Sequence, residues 1–238
     1  MIIDSSDLDA EAGYKLLIGT IVPRAIGWVS TQSAAGVANL APISFFTAVG
    51  RKPPMVSLSM QPRSDGSLKD TLVNMRETGE FATNLVTLPN SHAAHRSAFE
   101  FPPGVDEFDA LGLEKAPCEV INVPRVASAP VSFECTVERI IPVGETDCVV
   151  WGEVRRFHIR DDVCLDRDGG YRVDTAALPV VGRLAAEYTL VNTVFTTPLQ
   201  DDLLLSHSGN RMKRLDYLDE EFSPVDQASW SASGSVVE

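Results

Sequence analysis

The feature that most constrains the fold of this chain is a series of short segments in which apolar and polar residues alternate, each bounded by turn residues. This alternation predicts strands at 25–30, 37–41, 44–49, 55–60, 81–86, 131–141 and 149–159. Helical periodicity is confined to 7–19, 68–78 and, more weakly, 89–98. Because strands and helices do not alternate regularly, the pattern disfavours a doubly wound parallel sheet. It predicts a mainly β, antiparallel barrel with helical additions.

The remaining segments are predicted to be less regular. Residues 99–124 are rich in Pro, Gly and acidic residues, and we expect a long excursion over the surface. Residues 179–188 are expected to form a loop, and Pro42 predicts an edge or a bulge in its strand. The segment from Gln200 to Glu238 contains eight acidic and three basic residues. We therefore expect one domain at 1–198, followed by an acidic C-terminal extension at 199–238.

The charge balance restricts the classes of partner. The formal net charge is −13 and the sequence pI is about 4.7, so nucleic acid and anionic membranes are not expected as partners. No apolar run approaches the ~20 residues that a membrane span needs, and the N-terminal residues do not resemble a signal peptide. These observations predict a cytoplasmic protein. A phosphate-bearing ligand would need a local cluster of positive charge.

Several catalytic and metal-binding motifs are absent from the sequence. It has no glycine-rich dinucleotide or phosphate-loop fingerprint, no nucleophile elbow and no zinc-protease motif. His92 and His95 share a helix face without a third ligand, so we expect an exposed polar face rather than a metal site. Four widely spaced cysteines are expected to be small core residues: Cys118, Cys135, Cys148 and Cys164. The sequence thus singles out no metal ligand and no catalytic side chain.

Two neighbouring segments, Pro23–Thr31 and Ala38–Phe46, combine small residues with polar groups. Small side chains let a flat ring approach the backbone, and hydroxyls and amides can pair with ring nitrogens and carbonyls. The polar groups in question are Ser30, Thr31, Asn39 and Ser44. Each of them could equally be an ordinary strand residue, and Trp28 could be a core aromatic.

A second group of residues offers positive charge. Arg63, Lys69 and Thr71 lie near the predicted start of the helix at 68–78, where free N–H groups and the helix dipole favour an anion. Asp70 is poorly suited to a phosphate and could cap the helix or orient Lys69. Arg183 could add charge. Individually, these residues could be solvated surface groups.

Taken together, the motifs resemble the flavin reductase-like domain family, which includes flavoredoxin and the FMN reductase components of two-component monooxygenases. The order and spacing of the motifs match over roughly residues 14–198. The resemblance rests on Pro23–Thr31, Asn39–Phe46, Lys69–Thr71, Thr78–Asn84, Pro103–Phe108, Ala129–Cys135 and Val180–Leu184. Ala25 and Thr47 depart from the residues usual in the family, and the 199–238 segment has no clear counterpart there.

This resemblance implies a split β-barrel of antiparallel Greek-key type, a homodimer and one FMN per subunit. The resemblance also implies that residues in the matching motifs contact FMN. With Val29, Leu40 and the basic Arg63 added, the predicted cofactor-binding set is Trp28, Val29, Ser30, Thr31, Asn39, Leu40, Ala41, Ser44, Arg63, Lys69, Asp70, Thr71 and Arg183.

For function, the resemblance implies an NAD(P)H:flavin oxidoreductase, with NAD(P)H as a transient co-substrate and reduced flavin passed to a partner monooxygenase. Hydride transfer between two rings needs positioning more than a tuned acid or base, which agrees with the lack of an evident acid–base pair. A flavoredoxin-like electron carrier with a protein acceptor, a non-catalytic flavin-binding regulator and another flavin-dependent reaction remain alternatives, since fold alone does not define chemistry.

Overall fold

A computed structural model of the chain describes residues 2–102, 104–166 and 171–191. The predicted turn at Asp168-Gly169-Gly170 and the predicted extension at 199–238 lie outside these residues. The helices are α1 (Ala10–Thr20), α2 (Asp70–Thr78), α3 (Ser91–Arg96) and α4 (Glu107–Leu111), with 3-10 turns at Ser5–Asp7, Leu88–Asn90 and Asp161–Val163. No helix among the described residues combines the length and the apolar character needed to cross a bilayer.

The strands account for most of the regular structure. They are β1 (Gly27–Gln32), β2 (Ala38–Ile43), β3 (Phe46–Arg51), β4 (Pro54–Met60), β5 (Glu80–Leu85), β6 (Lys115–Ala116), β7 (Arg125–Val126), β8 (Val131–Val143), β9 (Asp147–Ile159), β10 (Cys164–Asp166), β11 (Arg172–Val173), β12 (Val180–Arg183) and β13 (Tyr188–Val191). The strands predicted from alternation are therefore confirmed, with small shifts at their ends.

Seven strands form one sheet in the order β2-β1-β5-β8-β9-β4-β3, and every neighbouring pair is antiparallel. Only Ser44 and Phe45 join β2 at one edge to β3 at the other, so the sheet must roll up to bring its edges together. At this corner the N–H of Ser59 donates to the carbonyl of Phe45 at 2.9 Å. The result is the expected split β-barrel with helical additions, and Pro42 lies on an edge strand as predicted.

Two large apolar clusters stabilise the domain, beside a small third one formed by Ala82, Ile121 and Val123. The first fills the barrel and includes Val29, Leu58, Phe81 and Val150, all fully buried, with Met75 of α2 closing one side. The second lies on the opposite face of β1 and β2, under α3 and α4. Its principal members are Trp28, Leu40, Val86, Phe108 and Val126. Alternate residues of β1 and β2 thus serve two different cores, because successive side chains of a strand point to opposite faces.

Gly152 on β9 shows how tightly the barrel interior is packed. A Cβ at this position would lie 2.2 Å from Cζ of Phe81, whose ring is fully buried and cannot move into solvent. We expect Gly152→Ala to lower the free energy of unfolding by about 1–3 kcal/mol through overpacking. Gly13→Ala is the matched control, because Gly13 lies within α1 with no atom near its missing Cβ, and it should stabilise the protein by up to about 1 kcal/mol. Urea unfolding of the two variants measures the difference, and equal effects would refute this account.

Two predictions of irregular structure are wrong in part. Residues 99–124 include α4, which begins at the Asp106 cap and ends at Gly112 in a left-handed conformation, with Phe108 buried. A five-residue helix is too short to show a helical period. Residues 179–188 include β12, which forms a hairpin with β13 and also pairs with Arg24 through both backbone hydrogen bonds. Four residues are likewise too few to establish alternation.

Candidate functional site

A cleft of about 110 Å³ opens between the edge strand β2, the first turn of α2, the segment that follows α3, and α4. Six of the predicted cofactor-binding residues line it, contributed by three separate parts of the chain. The full lining is Asn39, Ala41, Pro42, Arg63, Lys69, Asp70, Thr71, Ser97, Ala98, Phe99, Glu100, Phe101 and Glu107. The cleft therefore combines cations, carboxylates, small side chains and an aromatic flank.

The first turn of α2 supplies donors for an anion. The helix begins after Lys69, whose side chain makes no capping hydrogen bond, and it ends at Gly79 in a left-handed conformation. The first N–H groups of a helix have no partner within the helix. Because the buried Thr71, Leu72 and Met75 hold this helix against the barrel, its N-terminus is fixed in direction. Lys69, Asp70 and Thr71 line the cleft, so the backbone N–H groups of the first helical residues and the positive end of the helix dipole lie beside it.

Two cations, Arg63 and Lys69, and the carboxylate of Asp70 lie at the N-terminal end of α2. An Arg63 guanidinium nitrogen lies 2.5 Å from Oδ2 of Asp70, so Asp70 orients Arg63 rather than Lys69. Burial lowers the pKa of Lys69, an effect that nearby Glu100 opposes and Arg63 reinforces. A buried ammonium group gains when an anion binds beside it, because the anion offsets the cost of desolvation. Arg63 and Lys69 thus lie together at the start of α2, in a cleft that Asp70, Glu100 and Glu107 also line.

Behind the cations lies a buried polar network centred on Asn39. Its Oδ1 accepts hydrogen bonds from the hydroxyls of Thr71 at 2.9 Å and Thr31 at 3.2 Å, and Asn74 donates to Thr31 at 3.0 Å. Its Nδ2 donates to Oε2 of Glu107 at 2.8 Å. The network joins β1, β2, α2 and α4, so it fixes these four elements around the cleft.

Glu107 is the site residue that the sequence did not identify. It is only 6% exposed, and its Oε2 also accepts the backbone N–H of Leu40 on the outer side of the edge strand β2. Burial raises the pKa of Glu107 to about 7, and Asp70 adds to the rise, whereas the hydrogen bonds from Leu40 and Asn39 oppose it. A single acidic residue in a region predicted to be a surface loop carries no signal of this role.

Other predicted residues do not line the cleft, although some of them contact residues that do. The side chains of Trp28, Val29, Ser30 and Leu40 are fully buried. The indole of Trp28 donates to Ser97 at 2.9 Å, and Asn84 donates to the Trp28 carbonyl at 2.9 Å.

Ser44 and Arg183 also lie outside the cleft lining. Ser44 is half-buried at the corner between β2 and β3. The guanidinium of Arg183 lies 4.6 Å from the ring centroid of Tyr188. The hydroxyl of Tyr188 is in turn 2.9 Å from Nδ1 of His95. The structure thus brings six predicted residues to one cleft, but not the whole predicted set. The six are Asn39, Ala41, Arg63, Lys69, Asp70 and Thr71.

A larger cavity of about 320 Å³ lies beyond the β1–β2 turn, and none of the predicted site residues lines it. Lys115 at its wall is held by Asp106 and Asp109, at 2.7 and 2.9 Å. Its other walls are Gln32, Gly36, Ala38, Pro117, Cys118, Ile121, Asn122, Val123 and Pro124. Lys115, which two carboxylates hold, is the one cation among the described residues that line this cavity, whereas both Arg63 and Lys69 line the smaller cleft, and we therefore assign the functional site to the smaller cleft.

The comparison with protein families shows which family this chain belongs to. A model described as the flavin reductase like domain matches residues 19–173. The chain belongs to this family. Membership confirms the resemblance inferred from the motifs, and it gives the chain a flavin-linked redox function.

Individual proteins of known sequence or structure agree with this assignment. An uncharacterised protein of Deinococcus radiodurans is 40% identical over 194 residues, covering 80% of this chain and 85% of the relative. The structure of nitrilotriacetate monooxygenase component B from Bacillus cereus matches with a TM-score of 0.77 and 32% identity, over 83% of this chain and 98% of that one. A 2-nitrobenzoate 2-nitroreductase from Pseudomonas fluorescens matches with a TM-score of 0.76 and 26% identity, over 84% and 96% of the two chains.

The residues in the cleft fit the phosphate end of a flavin nucleotide. A flavin nucleotide carries a phosphate, and Lys69, Arg63 and the first N–H groups of α2 form a donor set suited to one. Ala41 and Pro42 offer a surface without long side chains beside them. The carboxylates of Asp70 and Glu107 do not favour a phosphate, but Asp70 is paired with Arg63, and burial raises the pKa of Glu107 to about 7, so that about half of it is protonated near pH 7.

Proposed function

We propose that this chain is an NAD(P)H-dependent FMN reductase that supplies reduced flavin to a partner monooxygenase. The observation that carries the proposal is the similarity to nitrilotriacetate monooxygenase component B along almost the whole of that chain, at 32% identity. The cations at the start of α2 support a phosphate-bearing flavin such as FMN, since riboflavin has no phosphate to use them.

In this proposal Lys69, Arg63 and the N-terminus of α2 hold the phosphate of FMN, and the polar network around Asn39 keeps them in position. Bound FMN would supply a ring that takes up hydride from a nicotinamide and passes the electrons on. The contribution of the protein is to bind and orient, which raises the rate without a proton donor of tuned pKa. Phe99, with 64% of its surface exposed, gives the rim of the cleft an aromatic face for a second ring.

We further propose that the protein is a cytoplasmic homodimer. Helix α1 has no buried residue, and Tyr14, Leu17, Ile21 and Val22 in or next to it are each at least 45% exposed. A concentration of exposed apolar side chains on one element is typical of an interface. A second copy of the chain would cover this surface, in line with the homodimer implied by the family resemblance.

The reductase proposal predicts a specific pattern of activity. The purified protein should oxidise NADH or NADPH only when FMN is bound or added, and it should reduce FMN in equal amount under anaerobic conditions, as followed by absorbance. If the protein holds a flavin but oxidises neither nucleotide, it is a carrier or a regulator rather than a reductase. If it neither contains flavin nor binds added FMN, the assignment of FMN to this cleft is refuted.

A further inference from the structure

The function proposed above uses Glu107 only as a member of the network around Asn39 and gives no role to its charge, although the carboxylate lines the cleft and is nearly inaccessible to solvent. One oxygen, Oε2, accepts hydrogen bonds from both the Asn39 side chain and the Leu40 backbone. A buried carboxylate in a cleft built for an anion is unfavourable on charge alone. The burial of this carboxylate therefore carries a free-energy cost, which an effect of Glu107 on its neighbours must offset.

The first effect of Glu107 is to fix the orientation of the Asn39 amide. An ionised carboxylate only accepts hydrogen bonds, so the amide must turn its Nδ2 toward Oε2. Its Oδ1 then faces Thr71 and Thr31, as the distances of 2.9 and 3.2 Å indicate. The opposite orientation would place two acceptor oxygens against each other within a buried network.

The second effect follows at Thr71, which lines the cleft at the first turn of α2. A threonine hydroxyl has one hydrogen, and in this arrangement it is donated to Oδ1 of Asn39. The hydroxyl can then offer only lone pairs to a ligand. A phosphate dianion needs donors, so ionised Glu107 keeps Thr71 in a state that does not help to bind it.

We propose that Glu107 is a proton-linked positioning residue: when its Oε2 takes a proton from solvent, the Asn39 amide turns over and the Thr71 hydroxyl becomes a donor to the phosphate of the flavin. The new O–H donates to Oδ1 of Asn39, while Oε2 still accepts from the Leu40 N–H. Nδ2 of Asn39 then donates to the Thr71 oxygen, and the Thr31 hydroxyl loses Oδ1 of Asn39 as its acceptor, a cost that the new charged hydrogen bond from Thr71 to the phosphate offsets. The inference rests on the proposed function, namely that FMN fills this cleft.

The charges around Glu107 determine the direction of the linkage. Asp70 favours its protonated form and Arg63 favours the ionised form, while Lys69 and Glu100 line the same cleft. The neighbouring acids of α4, Asp106 and Asp109, are paired with Lys115.

An arriving phosphate adds negative charge to this cleft and so favours the protonated carboxyl further. Because burial raises the pKa of Glu107 to about 7, rising pH should remove the proton and weaken FMN binding across the neutral range.

The test is to titrate FMN and riboflavin into the flavin-free protein between about pH 7 and 8.5, where the phosphate of FMN is already mostly a dianion. We expect the FMN dissociation constant to rise about 15-fold over this range, since only the protonated fraction binds well. Riboflavin should change less than about twofold. Calorimetry in two buffers of different ionisation enthalpy should also show proton uptake with FMN and none with riboflavin.

Two variants separate positioning from mere stability. Glu107→Gln keeps an acceptor for Leu40 and Asn39 but cannot ionise, so its FMN affinity should be independent of pH over this range. Glu100→Gln removes the same charge from the same cleft without touching Asn39, and it should keep the pH dependence of the original protein.

The outcomes separate this inference from the proposed function. FMN binding that does not vary with pH in the original protein, or that varies equally in Glu107→Gln, would overturn the inference and leave the flavin site standing. A failure to bind FMN at every pH would instead overturn the proposed function, and the inference with it. If Glu107→Gln fails to fold, Thr71→Val keeps the test decisive, because it removes the hydroxyl that protonation of Glu107 turns into a donor, and its FMN affinity should then lose the pH dependence.

Discussion

Replacing Lys69 by alanine should weaken FMN binding by about 10- to 100-fold while changing riboflavin binding by less than about threefold. A hydrogen bond to a charged group contributes about 1.5–3 kcal/mol, and each 1.4 kcal/mol is a tenfold change in affinity. Lys69 is partly buried at the N-terminal end of α2, where a bound anion offsets the free-energy cost of its desolvation. The loss should therefore follow the phosphate, and fluorescence titration with the two flavins measures it directly.

Lys15→Ala is the matched control for this experiment. It removes the same charge from α1, where Lys15 forms an exposed pair with Glu11 rather than lining the cleft. General electrostatic attraction of an anionic ligand would weaken similarly in both variants, whereas a specific phosphate contact is lost only in Lys69→Ala. Equal losses for FMN and riboflavin in Lys69→Ala would show that Lys69 supports the cleft rather than the phosphate.

The part of the site that could be predicted from sequence is the part encoded locally. Lys69 to Gly79 contains its own start, apolar face and stop, so a helix with a basic N-terminus follows from those residues alone. The edge position of β2 follows similarly from Pro42. In both cases the relevant physics acts over a few neighbouring residues.

The roles of Glu107 and Trp28 depend on long-range packing, which no local pattern records. Glu107 lies 68 residues from Asn39 in sequence, and only the folding of α4 under β2 brings the two together. Trp28 faces the second apolar cluster because β1 is covered on both sides. Alternation along β1 is consistent with either face meeting a ligand. The sequence therefore identified the right strands and the right helix end, but not which side chains face the cleft.

Buried polar groups away from the cleft stabilise the domain, and Glu134 on β8 is one whose loss should have a large cost. Its carboxylate is fully buried and accepts hydrogen bonds from the N–H groups of Glu119 and Val120, at 3.0 and 2.8 Å, and from Nε2 of His158. Burial alone would raise the pKa of Glu134, but the hydrogen bonds from His158 and the two N–H groups together lower it. This stabilisation is present above the unfolded pKa of about 4.5 and is lost as the pH falls through the folded value.

Glu134→Ala should lower the free energy of unfolding near neutral pH by about 3–5 kcal/mol, because three donors lose their acceptor in a buried site. Glu138→Ala, on the exposed side of the same strand, should change it by less than about 0.5 kcal/mol. Urea unfolding at neutral and acidic pH gives both values, and the gap between the variants should narrow as the pH falls, since protonation of Glu134 weakens the same three bonds. A gap that stays constant with pH would mean that Glu134 stabilises β8 through packing, without a contribution from its charge.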